Sequence, residues 1–126
     1  MLVQGLFVGM GGFVGAIARF YTTMWLRPTA GSLPLGTLTV NVLGSLALGF
    51  LATYFAQRQP DATHARLLLT VGFMGSFTTF STFSHESVRL WQDGRWSSLA
   101  ANIALNVGVC LVAAAAGAGV ARIWAR

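Results

Sequence analysis

Charged residues are scarce in this chain of 126 residues. They make up 9% of the sequence, whereas hydrophobic side chains make up 55%. A soluble domain normally carries about 25% charged residues. The composition therefore excludes an ordinary soluble protein and indicates one that is embedded in a membrane. Lysine is absent, and the formal net charge of +5 comes from eight arginines set against three acids.

The same scarcity excludes several classes of function. The arginines are scattered singly among apolar segments, so they form no basic face for a nucleic acid. The single cysteine, Cys110, can form neither an intrachain disulfide nor a cluster of metal ligands. No Ser/His/Asp set or phosphate-binding loop is evident, and His64 and His85 each stand alone. We therefore expect no enzyme activity.

Four apolar segments are each long enough to cross a bilayer, which takes about 20 helical residues. Short polar loops separate them. The first segment lacks the basic start of a cleavable signal peptide and continues past signal length, so we expect it to remain as a span. The sequence predicts an all-α membrane protein of one domain, residues 1–126, with four transmembrane helices at about 2–26, 35–56, 66–91 and 97–123.

The third segment contains an unusual run from Gly72 to Glu86, which reads GFMGSFTTFSTFSHE. It combines two glycines with six hydroxyl residues and phenylalanines at every third position. Glycine and β-branched threonine weaken a helix, and backbone groups freed inside lipid must find partners within the protein. We therefore expect the third helix to be broken between Gly75 and Thr79, near mid-membrane, at a polar site.

Arginine is distributed almost evenly between the two sides of the predicted bundle. One side holds Arg58, Arg66, Arg122 and Arg126, and the other holds Arg27, Arg89 and Arg95 with Arg19 near it. Orientation normally follows an excess of basic residues on the cytoplasmic side. Because there is almost no excess here, we expect copies to insert in both directions and to pair as an antiparallel, dual-topology homodimer. One copy is also too thin to enclose a pathway.

The motifs together resemble the Fluc or CrcB family of fluoride channels. The resemblance is carried by GGFVGAIAR at Gly11 to Arg19, GTLTVN at Gly36 to Asn41, the run from Gly72 to Glu86, and the four-span length. It implies passive export of fluoride across a bacterial plasma or inner membrane. It also implies two antiparallel pathways at the interface of a homodimer, with a structural sodium ion at its centre. Fluoride, a second copy and membrane lipid are then the partners.

The resemblance assigns roles along the pathway. Phe80 and Phe83 would present ring edges to the anion, since an aromatic ring is positive at its edge. Asn41 would donate amide hydrogens beside these rings. Ser81 and Thr82 would line the route with hydroxyl groups, which can donate to a passing anion. In so apolar a sequence there are alternatives to these roles. The phenylalanines could simply pack in the core, and Asn41 could simply form a hydrogen bond between two helices.

The resemblance extends to charged groups and to a cation. Glu86 matches an acidic residue of the family near one end of the row of hydroxyl groups. A carboxylate would repel an anion there unless it is protonated or hydrogen-bonded. The alternative is a Glu86 that pairs with an arginine at the membrane interface. Arg19 is expected to attract anions in a vestibule or to contact backbone carbonyls. Gly75 and Thr78 would each give a backbone carbonyl to the sodium ion, two from each copy.

The chain departs from the family pattern at Ala104, where some relatives carry an aromatic hydroxyl, and Asn102 or Asn106 is the candidate substitute. Two other functions are alternatives. A proton-coupled small four-span exporter needs an acid in its first span, where this chain has only Arg19. A scaffold that does not transport would use the glycines and hydroxyls for packing alone, and this leaves the phenylalanine and hydroxyl run unexplained.

Overall fold

The computed structural model describes residues 1–27 and 33–124, and these form helices without any strand. Helix α1 is Leu2–Trp25 and α2 is Leu35–Arg58. Helix α3 covers residues 63–77, α4 is Phe80–Gln92, and α5 is Trp96–Trp124. Most of the predicted first loop, residues 28–32, lies outside the described residues, as does Arg126.

Four helical segments are long and apolar enough to cross a membrane: Leu2–Trp25, Leu35–Arg58, Thr63–Gln92 and Trp96–Trp124. The prediction of an all-α chain with four such spans is therefore confirmed for the described residues. The third span begins earlier than expected, because the short stretch Thr63–Arg66 is already helical. The spans are recognisable from sequence because crossing a bilayer requires a long, nearly uncharged segment.

Two segments of the bundle are wound as π-helices rather than α-helices. Leu67–Met74 forms most of α3, and Leu105–Val109 lies within α5. A π-helix is wider than an α-helix and is frequently found at functional sites. The first of these segments packs on α1, and the second carries Asn106, which belongs to the polar site described below.

Glycines allow α1 and α3 to approach closely. A Cβ atom at Gly11 would collide with the Leu68 carbonyl, and one at Gly15 would collide with the Phe73 carbonyl. Such contacts between backbones replace the hydrophobic drive that helices lack inside lipid. Gly5 and Gly9 have the same spacing, but nothing lies within 4 Å of a Cβ placed at either position. Only the second of the two glycine pairs therefore packs within the protomer.

The other tight pair of helices is α2 with α5. A Cβ at Gly49 would meet the Ala114 carbonyl, and a Cβ at Gly117 would meet the Leu46 carbonyl. Helix α2 also reaches the third span, because a Cβ at Gly44 would meet the side chain of Thr78. Helix α2 thus lies between α5 and the centre of the third span, and its side chains can contact both.

Thr78 and Thr79 connect α3 to α4 in extended backbone conformations. Thr78 has ψ near 160°, and Thr79 has φ −154° and ψ 115°. We call these two residues the extended pair. They lie near the middle of the 30-residue span Thr63–Gln92. Helix α3 therefore presents its C-terminal end, and α4 its N-terminal end, at mid-span.

Candidate functional site

Asn41 of α2 forms two hydrogen bonds with the main chain of Thr79. The Thr79 N–H donates to Asn41 Oδ1 at 2.8 Å, and Asn41 Nδ2 donates to the Thr79 carbonyl at 3.2 Å. In a continuous α-helix the same N–H would donate to the carbonyl of Gly75, four residues earlier. The asparagine amide therefore replaces a helical partner and satisfies backbone groups that lipid cannot satisfy.

A chain of side-chain amides continues from Asn41 into α5. The second hydrogen of Asn41 Nδ2 goes to Asn106 Oδ1 at 2.9 Å. Asn106 Nδ2 donates to the carbonyl of Asn102 at 3.1 Å and to its Oδ1 at 3.0 Å. Asn102 and Asn106 are only 2% and 7% exposed. Burying these amides is tolerable because each amide nitrogen donates at least one hydrogen bond.

The chain of hydrogen bonds ends on α4. Asn102 Nδ2 donates to Ser87 Oγ at 3.0 Å, and the Ser87 hydroxyl donates to the Phe83 carbonyl at 2.8 Å. The amides of Asn41, Asn106 and Asn102 thus link α2, α5 and α4 around the extended pair. We call these three residues the amide chain.

Thr79 also caps α4. Its Oγ1 accepts the N–H of Thr82 at 3.2 Å, and it donates to Thr82 Oγ1 at 3.0 Å. Ser81 Oγ lies 3.2 Å from the same oxygen. A hydroxyl in this position satisfies a free N–H of the first helical turn. The cap fixes the start of α4, where the helix dipole places partial positive charge.

Arg19 of α1 lies against the other side of the connection. Its Nη1 donates to the carbonyl of Thr78 at 3.2 Å. This carbonyl follows the C-terminal end of α3, where the helix dipole is negative and a cation is stabilising. The Thr78 hydroxyl donates back to the Met74 carbonyl at 3.0 Å. Arg19 thus holds the α3 side of the extended pair, and Asn41 holds the α4 side.

A cavity of about 230 Å³ lies beside the extended pair. The rings of Phe80 and Phe83 meet edge to face in its wall, with centroids 5.4 Å apart and an interplanar angle of 61°. Phe83 is 7% exposed and Phe80 is 76% exposed, so the two rings form an inner and an outer wall. The lining residues are Asn41, Ser45, Leu48, Thr78, Thr79, Phe80, Phe83, Asn106, Val107 and Cys110.

The remaining predicted pathway residues lie on α4 outside this cavity. Ser81 and Thr82 are exposed on the protomer surface. Glu86 is one turn further along and accepts a hydrogen bond at 2.8 Å from the hydroxyl of Thr37, which is 2% exposed. The other carboxylate oxygen, Oε2, is buried and has no hydrogen-bond partner among the described residues. The carboxylate is therefore held by α2 through one oxygen.

The two carbonyls expected to hold sodium lie at the end of α3. Because the Thr79 N–H donates to Asn41, the Gly75 carbonyl is without its usual helical donor. Gly75 is exposed, and nothing lies within 4 Å of a Cβ placed there. Within the described ranges no group of three or more His, Cys, Asp or Glu residues is placed to hold a metal. Backbone carbonyl oxygens such as those of Gly75 and Thr78 are ligands of the kind that hold sodium at broken helices.

Comparison with known proteins places the chain in a family. Residues 6–118 match the family described as CrcB-like protein, Camphor Resistance (CrcB). The chain belongs to the CrcB family. This confirms the resemblance that the sequence motifs indicated, and the match covers all four spans in whole or in large part.

Relatives in the CrcB family carry the name "Fluoride-specific ion channel FluC". The one from a Sulfurovum species is 50% identical over 109 residues, which are 86% of this chain and 85% of the relative. The one from a Nitratiruptor species is 50% identical over 101 residues, 79% and 77% of the two chains. The one from Syntrophotalea carbinolica is 44% identical over 118 residues, 93% and 96%. These relatives are named as channels and not as enzymes, as the sequence led us to expect. The chain is a multi-pass bacterial membrane protein.

Sequence reasoning missed several members of the site. Ser45 lines the cavity, Ser87 ends the amide chain, and Thr37 holds Glu86. The available signal was spacing: Asn41 with Ser45, and Asn102 with Asn106, are four residues apart and share a helix face. Spacing shows which residues share a face, but it does not show which helix that face meets.

Proposed function

We propose that this chain forms a fluoride-selective channel through which fluoride leaves the cytoplasm passively. The observation that carries the proposal is the cavity at the extended pair, bounded by the rings of Phe80 and Phe83, in a chain 50% identical to a relative named as a fluoride channel. Fluoride is small and strongly hydrated, so a pathway for it must replace water with donors and positive partial charge.

Two features beside the cavity supply such charge. Aromatic ring edges are weakly positive, and Phe80 and Phe83 line the cavity. The N-terminal end of α4 starts at the same place, because Thr79 and Phe80 are also lining residues. From there the hydroxyls of Ser81 and Thr82 would continue the route along α4 towards Glu86 and Thr37. In this proposal the connection at Thr78 and Thr79 is a functional break in the third helix.

The proposed assembly is a homodimer of oppositely inserted copies, with one pathway on each side. Ser81, Thr82 and Gly75 are exposed on the protomer although they lie well inside the third span. Hydrocarbon cannot satisfy hydroxyls or carbonyls. Phe80, which is 76% exposed, would otherwise face lipid as well. A second copy that covers this surface would turn an open cavity into an enclosed route.

A structural sodium ion is proposed at the dimer centre, bound by the carbonyls of Gly75 and Thr78 from each copy. The ion would supply positive charge beside the negative ends of the two α3 helices and would connect the copies. Thr78 already accepts from Arg19 through one lone pair, and a carbonyl oxygen has a second. Arg19 is then the partner of the Thr78 carbonyl, next to the cation.

Asn41 was expected to donate to fluoride, and this stays a prediction. In the protomer both hydrogens of Asn41 Nδ2 are donated to protein oxygens, one on Thr79 and one on Asn106. Donating to fluoride would require the amide to release one of them, at a net cost of about 1 kcal/mol. The role that this geometry supports directly is holding Thr79 extended.

The test is fluoride release from vesicles that contain the purified protein. Passive conduction predicts release that needs a potassium ionophore to carry the counter-charge, needs no proton gradient, and is far slower for chloride. The runner-up, a proton-coupled exporter, predicts release that follows an imposed proton gradient and stops when that gradient is collapsed. Vesicles without protein provide the control. No release under either condition would reject both transport functions.

A further inference from the structure

The hydrogen-bond donors around the cavity can be counted one by one. The amide hydrogens of Asn41 go to Thr79 and Asn106, and those of Asn106 both go to Asn102. The Thr78 hydroxyl donates to the Met74 carbonyl. The main-chain N–H of Thr79 goes to Asn41, and its hydroxyl goes to Thr82. The polar groups that hold the extended pair in place are therefore already in use.

Ser45 differs from the other polar residues of the cavity wall. It lies in α2 one turn after Asn41, is half-buried, and lines the cavity. No described residue forms a hydrogen bond with its hydroxyl, although serine in a helix often donates to the carbonyl four residues back. The Cys110 thiol also lines the cavity but is a weak donor. Ser45 thus carries the strong uncommitted side-chain donor among the described residues that line the cavity.

The packing of α2 explains why Ser45 borders the cavity. The neighbouring residue, Gly44, lies so close to the third span that a Cβ there would collide with the Thr78 side chain and lie 3.4 Å from the Phe77 ring. Helix α2 is therefore packed against the extended pair at this level. Ser45, one position further along, borders the space between the extended pair and α5.

We propose that the Ser45 hydroxyl donates a hydrogen bond to the anion in this cavity, whose lining also includes Phe80 and Phe83. The amide chain then serves as a rigid frame, and Ser45 provides the contact that replaces water. This inference rests on the proposed function and adds a residue that binds the anion. No hydrogen bond to another described residue has to break for Ser45 to act.

The experiment compares Ser45→Ala with Ser45→Thr in vesicles, and measures the fluoride concentration that gives half-maximal flux. A hydrogen bond to a charged partner implies a rise on the order of tenfold to a hundredfold for Ser45→Ala. Ser45→Thr keeps a hydroxyl and should stay within a few-fold of the unmodified protein. The matched control is Ser76→Ala. Ser76 also has no hydrogen-bond partner among the described residues, but its hydroxyl faces Gly12 of α1 and it does not line the cavity.

The outcomes separate the inference from the proposed function. If the unmodified protein releases no fluoride, the proposed function itself fails. If it releases fluoride and Ser45→Ala behaves identically, the role of Ser45 is rejected while the channel stands. Equal losses in Ser45→Ala and Ser45→Thr, with both proteins eluting as the unmodified protein does, would also reject a role for the hydroxyl. If Ser45→Ala does not fold, Ser45→Cys, which keeps the volume with a weaker donor, carries the same test.

Discussion

The side chain of Asn41 pairs with the main chain of Thr79 through both ends of its amide, at 2.8 Å and 3.2 Å. Asn41, which lies in α2, thereby binds both the N–H and the carbonyl of Thr79, which lies between α3 and α4. Such pairing is needed at this depth, because an unsatisfied backbone group in hydrocarbon costs several kcal/mol. The extended pair, the start of α4 and the cavity all depend on this contact.

Replacing Asn41 with leucine should destabilise the protein. The change leaves the Thr79 N–H without a partner, takes one donor from the Thr79 carbonyl and removes the donor to Asn106, so we expect a loss of about 1–3 kcal/mol. Heating the protein in detergent and following the remaining monodisperse fraction measures the effect. Thr39→Val is the matched control: Thr39 lies on the same helix and forms no hydrogen bond with the described residues.

The same measurement tests the amide chain. Asn41 and Asn106 share one hydrogen bond, so the double variant Asn41→Leu with Asn106→Leu should lose less stability than the two single variants summed. Strict additivity would show that the two amides do not act together, contrary to the geometry described above.

Alanine at Gly11 or Gly15 should disturb the contact between α1 and α3. The new Cβ would meet backbone carbonyls of Leu68 or Phe73, which cannot move aside as a flexible side chain can. Overpacking of this kind costs about 1–3 kcal/mol. Gly5→Ala and Gly9→Ala are matched controls in the same helix with open space around the new atom. Equal thermal stability of all four variants would contradict this packing.

Phe80 and Phe83 require different tests because their burial differs. Phe80 is 76% exposed in the protomer, so Phe80→Ala should leave the protomer folded, and it should lower fluoride flux because it removes a ring that lines the cavity. Phe83 is 7% exposed, and its truncation to alanine should cost about 3–5 kcal/mol of stability. Phe13→Ala removes a ring that is 70% exposed on α1 and serves as control. Normal flux in Phe80→Ala would remove this ring from the pathway.

Cys110 offers a chemical test of the route. It is the single cysteine of the chain and lines the cavity. A small methanethiosulfonate reagent attached there would fill part of a space of about 230 Å³, so we expect modification to reduce fluoride flux several-fold. Each protein is compared before and after treatment, and Cys110→Ala should not respond. Complete labelling, verified by mass spectrometry, with unchanged flux would place the route elsewhere.

The sequence by itself determined the four spans, the membrane location and the family. These follow from segment length, missing charge and local motifs such as the run from Gly72 to Glu86, and they do not depend on which helices meet. It also pointed to Asn41, Phe80 and Phe83, which the structure brings to one cavity. Their roles as contacts for an anion stay predictions.

Only the tertiary structure decided which glycines pack against a neighbouring helix and which polar side chains form hydrogen bonds within the protein. Gly5 with Gly9 and Gly11 with Gly15 show the same spacing, yet only the second pair meets a neighbouring helix. Asn41 and Ser45 share a face of α2, yet both amide hydrogens of Asn41 are donated, whereas the Ser45 hydroxyl forms no hydrogen bond with another described residue. The physical reason is that hydrogen bonding and close packing depend on what another helix presents, and periodicity within one helix carries no information about its neighbours.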